Sequence, residues 1–235
     1  VIQKASTFYI RTYGCQMNER DSESVSCLLE ARGYTRVHDE IDADVVLFNT
    51  CSVRDSAEQK AVGKVGTLKK LKRRKPHVII GIIGCMAQNH GDSLLEKLPH
   101  VDLIVGTDNI HRIPDLLDNA AVGTGRIVET GRGDDILNSL RDHPAGCSSA
   151  YVSVMRGCNQ RCSYCIVPSV RGAEKSRSIP DVVSEVRDLA AQGVREIVLL
   201  GQNITAYGIA ERREAGRYTS GESPFADLLE AVNDV

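Results

Sequence analysis

The sequence predicts an α/β protein that begins with a parallel sheet flanked by helices. Within the first 115 residues, short apolar runs at 45–48, 78–83 and 101–105 alternate with segments that carry helix-forming and helix-ending signals. Continuous apolar runs of this length are typical of strands buried on both faces. Their alternation with helices indicates a parallel sheet with helices packed on its faces.

Each element of this first module has its own local signal. A β-rich segment at 7–12 precedes the first helix, for which Gly33 is a suitable C-terminal residue. The remaining predicted elements, in chain order, are a strand at 45–48, a helix at about 54–71, a strand at 78–83, a helix at 94–98, a strand at 101–105 and a helix at 110–117.

A second module follows a segment rich in Gly and Pro. We predict an N-terminal domain at 7–120, a linker at 121–149 and a second domain at 150–235. The second domain is predicted to contain strands at 151–155 and 196–200 and helices at 180–191 and 225–232, with Ser178 as an N-cap. Two βα units cannot close a barrel, so we expect this domain to be an incomplete one.

The composition excludes several classes of protein. The chain has 235 residues, 42% of them hydrophobic and 26% charged, with a net charge of −2. No apolar run reaches the roughly 18 residues of a membrane span, and residues 1–4 do not resemble a signal peptide. We therefore expect a cytoplasmic protein without a membrane partner. Phosphate-binding loops, dinucleotide fingerprints and the common peptidase and hydrolase motifs are also missing from the sequence.

Three of the eight cysteines lie within one short segment. Cys158, Cys162 and Cys165 form a Cys-x3-Cys-x2-Cys run directly after a predicted strand. A structural zinc site needs a fourth ligand, and no Cys or His follows Cys165. Three thiolates suit an iron–sulfur cluster with one open iron. The alternative, buried or disulfide-linked cysteines, is disfavoured because cytosolic thiols stay reduced.

Three further cysteines each follow a predicted strand of the first sheet. Cys15, Cys51 and Cys85 are separated by 36 and 34 residues, and parallel strands end at one edge of a sheet. We therefore expect their thiols to meet and to offer a second three-thiolate site. The alternative is that each is a small buried side chain, as free cysteine often is. Cys27 and Cys147 are interpreted as non-ligands.

A basic run ends the second predicted helix. Seven of the twelve residues from Lys64 to Lys75 are Lys or Arg. Such a run is most often a solvated helix end, where cations favour the helix dipole. Contact with phosphate or RNA is the alternative.

The cysteine contexts resemble the methylthiotransferase branch of the radical S-adenosylmethionine (SAM) superfamily. The similarity lies in Arg156-Gly157-Cys158 through Pro168 and Arg171-Gly172, and in the strings around the three earlier cysteines: Tyr-Gly-Cys-Gln-Met-Asn, Asn-Thr-Cys-Ser-Val-Arg and Gly-Cys-Met-Ala-Gln. It extends from about Thr7 to the end of the chain. The fold that it implies is the first two βα units of a partial barrel after the N-terminal sheet.

The resemblance implies a role for each set of cysteines. Cys158, Cys162 and Cys165 would hold a [4Fe-4S] cluster that binds SAM and cleaves it reductively to a 5′-deoxyadenosyl radical. Cys15, Cys51 and Cys85 would hold an auxiliary [4Fe-4S] cluster that carries the transferred sulfur. Tyr164, Gln202 and Asn203 would line the SAM pocket.

The activity implied is methylthiolation of carbon 2 of dimethylallyladenosine in tRNA, near the anticodon, with two SAM molecules consumed. The implied partners are the tRNA and an electron donor such as flavodoxin or ferredoxin, and we expect a monomer. Two alternatives remain: a sister enzyme acting on threonylcarbamoyladenosine tRNA or a ribosomal-protein aspartate, and an inactive iron–sulfur fragment. Ser169 stands where this branch more often has an aromatic residue. The later βα units and the C-terminal RNA-binding domain of the family are absent from this sequence, so we expect the chain alone to be inactive.

Overall fold

The computed structural model describes residues 6–121, 125–133 and 141–235. The chain forms two compact units, residues 1–136 and residues 137–235. In the described ranges, no helix combines the length and the apolar character that crossing a membrane requires.

The first unit is built on a six-stranded parallel sheet, which confirms the predicted fold class. The strand order is β2-β1-β3-β4-β5-β6, and every pairing is parallel. Its strands are β1 (Thr7–Tyr13), β2 (Thr35–Arg36), β3 (Val45–Thr50), β4 (Ile79–Ile83), β5 (Leu103–Val105) and β6 (Ile127–Glu129).

Helices cover both faces of this sheet. They are α1 (Gln16–Ala31), α2 (Asp55–Thr67), α3 (Lys69–Arg74), α4 (Cys85–His90), α5 (Ser93–Lys97) and α6 (Ile113–Ala121), with a 3-10 turn at Ile110–Arg112. Val46, Phe48 and Ile82 pack into one core with α2, α3, α4 and α5. The alternate residues Leu47 and Ile83 are also fully buried, and α1 packs on β1 and β3 and contacts α6.

The strand order reverses between β1 and β3. The chain leaves β1 through α1 towards β2, and leaves β3 in the opposite direction towards β4. In open α/β sheets, ligands bind outside the carboxyl ends of the strands at this reversal. The fold therefore places its natural binding crevice where β1 and β3 end.

Short elements of the first unit differ from the sequence prediction. The predicted linker 121–149 contributes β6, a three-residue strand too short to show periodicity. The predicted helix 54–71 is two helices, because the chain turns at Leu68, directly after Gly66 and Thr67, two residues of low helix propensity. The six-residue helix α4 was not predicted at all, and it begins at Cys85 itself.

The second unit contains two small sheets. Strands β7 (Ser149–Ser153) and β10 (Glu196–Leu200) pair in parallel, and β8 (Met155–Arg156) pairs antiparallel with β9 (Lys175–Ser176). The predicted strand 151–155 is therefore divided between β7 and β8. The helices are α7 (Val167–Arg171), α8 (Ile179–Ala191), α9 (Ile209–Glu214) and α10 (Pro224–Asn233), with a 3-10 turn at Ile204–Ala206.

The core of this unit lies between β7, β10 and the helices α8 and α10. Val152 and Val154 are fully buried against Val182 and Leu228. The predicted N-cap of α8 is confirmed, since the Ser178 side chain accepts a hydrogen bond from the Asp181 backbone N–H. The Arg177 backbone N–H donates to Val154 O at 2.8 Å, so α8 starts close to the carboxyl end of β7.

Candidate metal centres

The thiols of Cys15, Cys51 and Cys85 belong to three loops at the carboxyl edge of the first sheet. Cys15 follows β1 and is the N-cap of α1. Cys51 follows β3, and its backbone N–H donates to Tyr13 O at 2.8 Å, which extends the β1–β3 pairing by one residue. Cys85 is the first residue of α4, and only Gly84 separates it from the end of β4.

The Cys51 thiol is affected by both of the other cysteines. A hydrogen bond with Cys15 raises the pKa of the Cys51 thiol well above its ordinary value; burial adds to this, and Cys85 contributes a smaller increase. Cys51 and Cys85 are each 2% exposed. The three cysteines therefore lie on neighbouring loops at one edge of the sheet.

The β1 and β3 loops lie so close together at Gly14 that residue 14 has no room for a side chain. A Cβ at position 14 would lie 2.4 Å from Cys51 Cβ and 3.3 Å from Asn18 Oδ1. No side chain fits there, so the β1 and β3 loops approach each other closely only because residue 14 is glycine.

A buried amide pair ties the same loops together. Asn18 Nδ2 donates to Asn49 Oδ1 at 2.7 Å, and Asn49 Nδ2 donates back to Asn18 O at 2.8 Å. Cys15 Sγ donates to Asn18 Oδ1 at 3.3 Å. Gly84 packs so closely that a Cβ there would lie 2.2 Å from Asn49 Oδ1. Asn18 and Asn49 are both fully buried, so this pair fixes the first thiol relative to the loops of the other two.

Replacing Asn49 with alanine is expected to lower the free energy of unfolding of the first unit by about 2–3 kcal/mol, because it leaves buried groups of Asn18 without partners. Urea denaturation followed by circular dichroism measures this change. The matched control is Asn89→Ala, at an exposed position, where we expect a change within about 0.5 kcal/mol. Equal effects from the two variants would contradict the role of the amide pair.

Cys158, Cys162 and Cys165 lie on the loop between β8 and α7. The Cys158 backbone N–H donates to Gly172 O at 3.2 Å, and the Cys165 N–H donates to Cys162 O at 3.1 Å. Gly157 has a φ of +73°, and a Cβ there would lie 2.0 Å from Ala173 O. The start of the loop is thus held close to the segment that returns to β9, while Cys162 is exposed.

The predicted SAM-pocket residues differ in their surroundings. Tyr164 is 90% exposed and lies on the cysteine loop. Gln202 and Asn203 are half-buried and follow β10, as predicted. Gln202 Oε1 is buried and accepts no hydrogen bond from any described residue, whereas Asn203 Oδ1 accepts one from Thr205 at 3.1 Å.

A buried ionic network supports this edge of the second unit. Arg177 lies 2.5 Å from Glu185, which also contacts His143 at 2.7 Å, and their side chains are 4% exposed or less. Arg177 Nη1 donates to Ser153 O at 3.1 Å, and the Tyr207 hydroxyl donates to Arg177 O at 2.6 Å. Burial raises the pKa of Tyr207 to about 12, so this hydroxyl stays protonated and remains a donor.

Sequence reasoning missed these supporting residues. Asn49 had one local signal, a polar residue at the end of an otherwise apolar strand. Asn18, Arg177, Glu185 and His143 had none, because their partners are distant in the sequence.

Both donor sets consist of three thiols. Across residues 6–121, 125–133 and 141–235, no three Cys, His, Asp or Glu side chains are grouped so as to hold one metal ion. Cysteine thiolates are the usual ligands of iron–sulfur clusters. All eight cysteines lie in the described residues and none forms a disulfide. Both sets of thiols are therefore chemically suited to iron–sulfur clusters.

Family models match both units of the chain. Residues 7–106 match uncharacterized protein family UPF0004, and residues 152–231 match the radical SAM superfamily. A solved structure of the radical S-adenosylmethionine methyltransferase TsrM from Kitasatospora setae shares the fold, with a TM-score of 0.63 and 16% identity over 97% of this chain and 58% of that chain. A second solved structure, of the same protein with cobalamin and a [4Fe-4S] cluster bound, has a TM-score of 0.62.

Curated relatives carry one shared name. The chain is 48% identical to tRNA-2-methylthio-N(6)-dimethylallyladenosine synthase of Opitutus terrae, over 96% of this chain and 52% of the relative. It is also 48% identical to the protein of that name from Halalkalibacterium halodurans, over 86% of this chain and 38% of the relative. The chain spans about half the length of the curated relatives it matches.

The Cys158–Cys165 loop lies within the residues that match the radical SAM superfamily, so the second unit is a radical SAM domain. More specifically, the chain combines a UPF0004 domain with this radical SAM domain, and its curated relatives are named as tRNA methylthiolating synthases, in agreement with the predicted resemblance to the methylthiotransferase branch.

Proposed function

We propose that the protein containing this chain methylthiolates carbon 2 of dimethylallyladenosine in tRNA, near the anticodon, with two [4Fe-4S] clusters and two SAM molecules per product. The observation that carries this proposal is the presence of two separate three-cysteine sets in one chain. One set occupies the strand reversal of a parallel sheet, and the other follows a strand of the radical SAM unit. The shared name of the relatives supports tRNA as the substrate.

In the first unit, Cys15, Cys51 and Cys85 would hold the auxiliary cluster. Cys15 caps α1, a helix of 16 residues, whose N-terminal dipole favours a thiolate. Burial of Cys51 and Cys85 excludes water from two of the three ligands. The Asn18–Asn49 pair holds the loops in register, and Gly14 leaves room for their close approach.

In the second unit, Cys158, Cys162 and Cys165 would hold the cluster that supplies the electron for reductive cleavage of SAM. The buried Gln202 Oε1 can accept a hydrogen bond from a bound cofactor, since no described residue donates to it. Asn203 follows it in the segment after β10, and Tyr164 lies exposed on the cysteine loop, where it can contact bound SAM. Arg177 positions this edge by joining the end of β7 and the segment after β10 to α8.

The test is a modification assay on the protein that contains this chain, after anaerobic reconstitution with iron and sulfide. Supplied with SAM, a reductant and tRNA carrying dimethylallyladenosine, it is expected to form the 2-methylthio nucleoside, which mass spectrometry of digested tRNA detects. Two SAM molecules should be consumed per product, one yielding 5′-deoxyadenosine and one S-adenosylhomocysteine. SAM cleavage without any modified tRNA would contradict the substrate assignment.

The same assay decides between the sister substrates. Threonylcarbamoyladenosine tRNA and the ribosomal protein are tested in parallel, because Ser169 departs from the pattern of the dimethylallyladenosine branch. Ser169 is exposed on α7, four residues after Cys165. We expect product from dimethylallyladenosine tRNA only.

We further propose a flavodoxin or ferredoxin as the electron donor and a monomer as the active state. A tRNA substrate and eight reduced cysteines are consistent with a cytoplasmic location. Reduction of the reconstituted protein by either donor and size-exclusion chromatography with light scattering test these two points.

Cys51→Ala is expected to remove most of the auxiliary cluster, because only three protein ligands hold it. The control Cys27→Ala changes a half-buried thiol in the middle of α1 and should leave the iron content unchanged. Iron and sulfide are quantified per chain, and absorbance near the cluster bands gives an independent measure. Equal iron loss from both variants would show that Cys51 is no more important to the cluster than Cys27.

A further inference from the structure

The surface of α3 carries a cluster of cations that the proposed clusters do not use. We call it the α3 basic cluster and define it as Lys69, Lys70, Arg73 and Arg74. All four side chains are exposed, and none forms an ion pair or a hydrogen bond with any residue in the described part of the chain.

Neighbouring cations of the same run are neutralised within the protein. Lys72 binds Asp102 at 2.7 Å and also donates to Val78 O at 2.5 Å. Lys64 lies 2.5 Å from Glu40. The run of seven cations therefore divides into two that stabilise the fold, the half-buried Lys75, and four that face solvent without a counter-charge among the described residues.

The four exposed cations form two adjacent rows on α3. Lys69 and Arg73 are four residues apart, as are Lys70 and Arg74, so the members of each pair are neighbours along the helix. Like charges at this spacing repel each other. A polyanion with regularly spaced charges relieves that repulsion, whereas solvent only screens it.

The α3 basic cluster lies at the amino edge of the first sheet, opposite the edge that carries Cys15, Cys51 and Cys85. Helix α2 starts near Cys51 and runs back along the sheet, and α3 follows it before β4 begins. The six residues of β3 span about 20 Å between the two edges. A ligand that contacts the α3 basic cluster therefore binds at a distance from the proposed auxiliary cluster.

We propose that the α3 basic cluster binds the phosphate backbone of RNA, at a part of the tRNA remote from the modified base; this rests on the proposed function. Phosphate contacts carry no sequence information, so the surface would orient the tRNA and not select the base. An acidic electron-donor protein matches the charge equally well. RNA is favoured because the regularly spaced phosphates of its backbone can contact both rows of cations at once.

The test measures binding of unmodified tRNA to this chain as a function of salt concentration, for Arg73→Ala/Arg74→Ala and for the four-residue alanine variant. The double variant should weaken binding about tenfold at 0.1 M salt, and the slope of log K against log salt should fall by about two. The fall should be about four for the four-residue variant. The loss should be the same for tRNA and for an RNA of scrambled sequence.

The matched control is Arg187→Ala/Arg195→Ala, which removes two exposed arginines of the second unit that have no ion-pair partner among the described residues. It should change the affinity less than twofold. An equal loss from control and test variants would show a general charge effect and overturn the proposal.

Two other outcomes also overturn it. Unchanged tRNA binding with slower reduction by flavodoxin would assign the surface to the electron donor. Unchanged tRNA binding and an unchanged reduction rate would show that the α3 basic cluster is only a solvated helix surface. Neither result affects the proposed function, which the modification assay tests separately. If that assay fails but the variants still reduce the salt dependence of tRNA binding, the proposed RNA-binding surface stands and the proposed function is wrong.

Discussion

Replacing Cys158, Cys162 and Cys165 together with alanine is expected to abolish reductive cleavage of SAM and to halve the iron content. Each three-cysteine set is proposed to hold one four-iron cluster, so the reconstituted chain should contain about eight irons and the variant about four. The remaining iron should stay with Cys15, Cys51 and Cys85, since those ligands belong to a different unit. Iron and sulfide analysis of the chain and the yield of 5′-deoxyadenosine from the protein that contains it measure the two effects.

Cys147→Ala provides the matched control for this variant. Cys147 is half-buried in the same unit, and its thiol donates to Pro144 O at 3.2 Å. This substitution should leave both iron content and SAM cleavage unchanged. About one zinc per chain and no sulfide in the unmodified protein would contradict the cluster assignment altogether.

The placement of the first three cysteines could be predicted because it depends on topology alone. Val45–Thr50 and Ile79–Ile83 are buried at every residue, so their apolar runs identified the strands without any knowledge of packing. Parallel strands end at one edge, and a cysteine follows each of them. The prediction therefore needed only the strands and not the precise loop geometry.

The supporting contacts could not be predicted because they join residues far apart in the sequence. Asn18 and Asn49 are separated by 31 positions, and His143 and Glu185 by 42. A polar residue in a helix or strand gives no indication of its partner until the fold brings the two together. The short elements α4 and β6 were missed for a different reason, since six and three residues are too few to show a period.

The network of Arg177, Glu185 and His143 stabilises the part of the second unit that carries the proposed SAM site. Arg177 contacts the end of β7 through Ser153 O and the segment after β10 through Tyr207. Glu185 on α8 holds the Arg177 guanidinium, and His143 reaches the same carboxylate from the segment before β7. Loss of Glu185 would therefore loosen the edge to which Gln202 and the cysteine loop belong.

Glu185→Ala is expected to lower the free energy of unfolding of the second unit by about 3–5 kcal/mol, because it leaves a buried guanidinium without its counter-charge. Urea denaturation of the chain measures the loss, and SAM affinity should weaken in parallel. The matched control is Asp227→Ala, which breaks an ion pair between Arg212 and a carboxylate that is 51% exposed. Exposed pairs contribute little, so the control should cost no more than about 1 kcal/mol. Similar losses from the two variants would show that the buried network contributes no more than a surface pair, and that Arg177 is held by its backbone contacts alone.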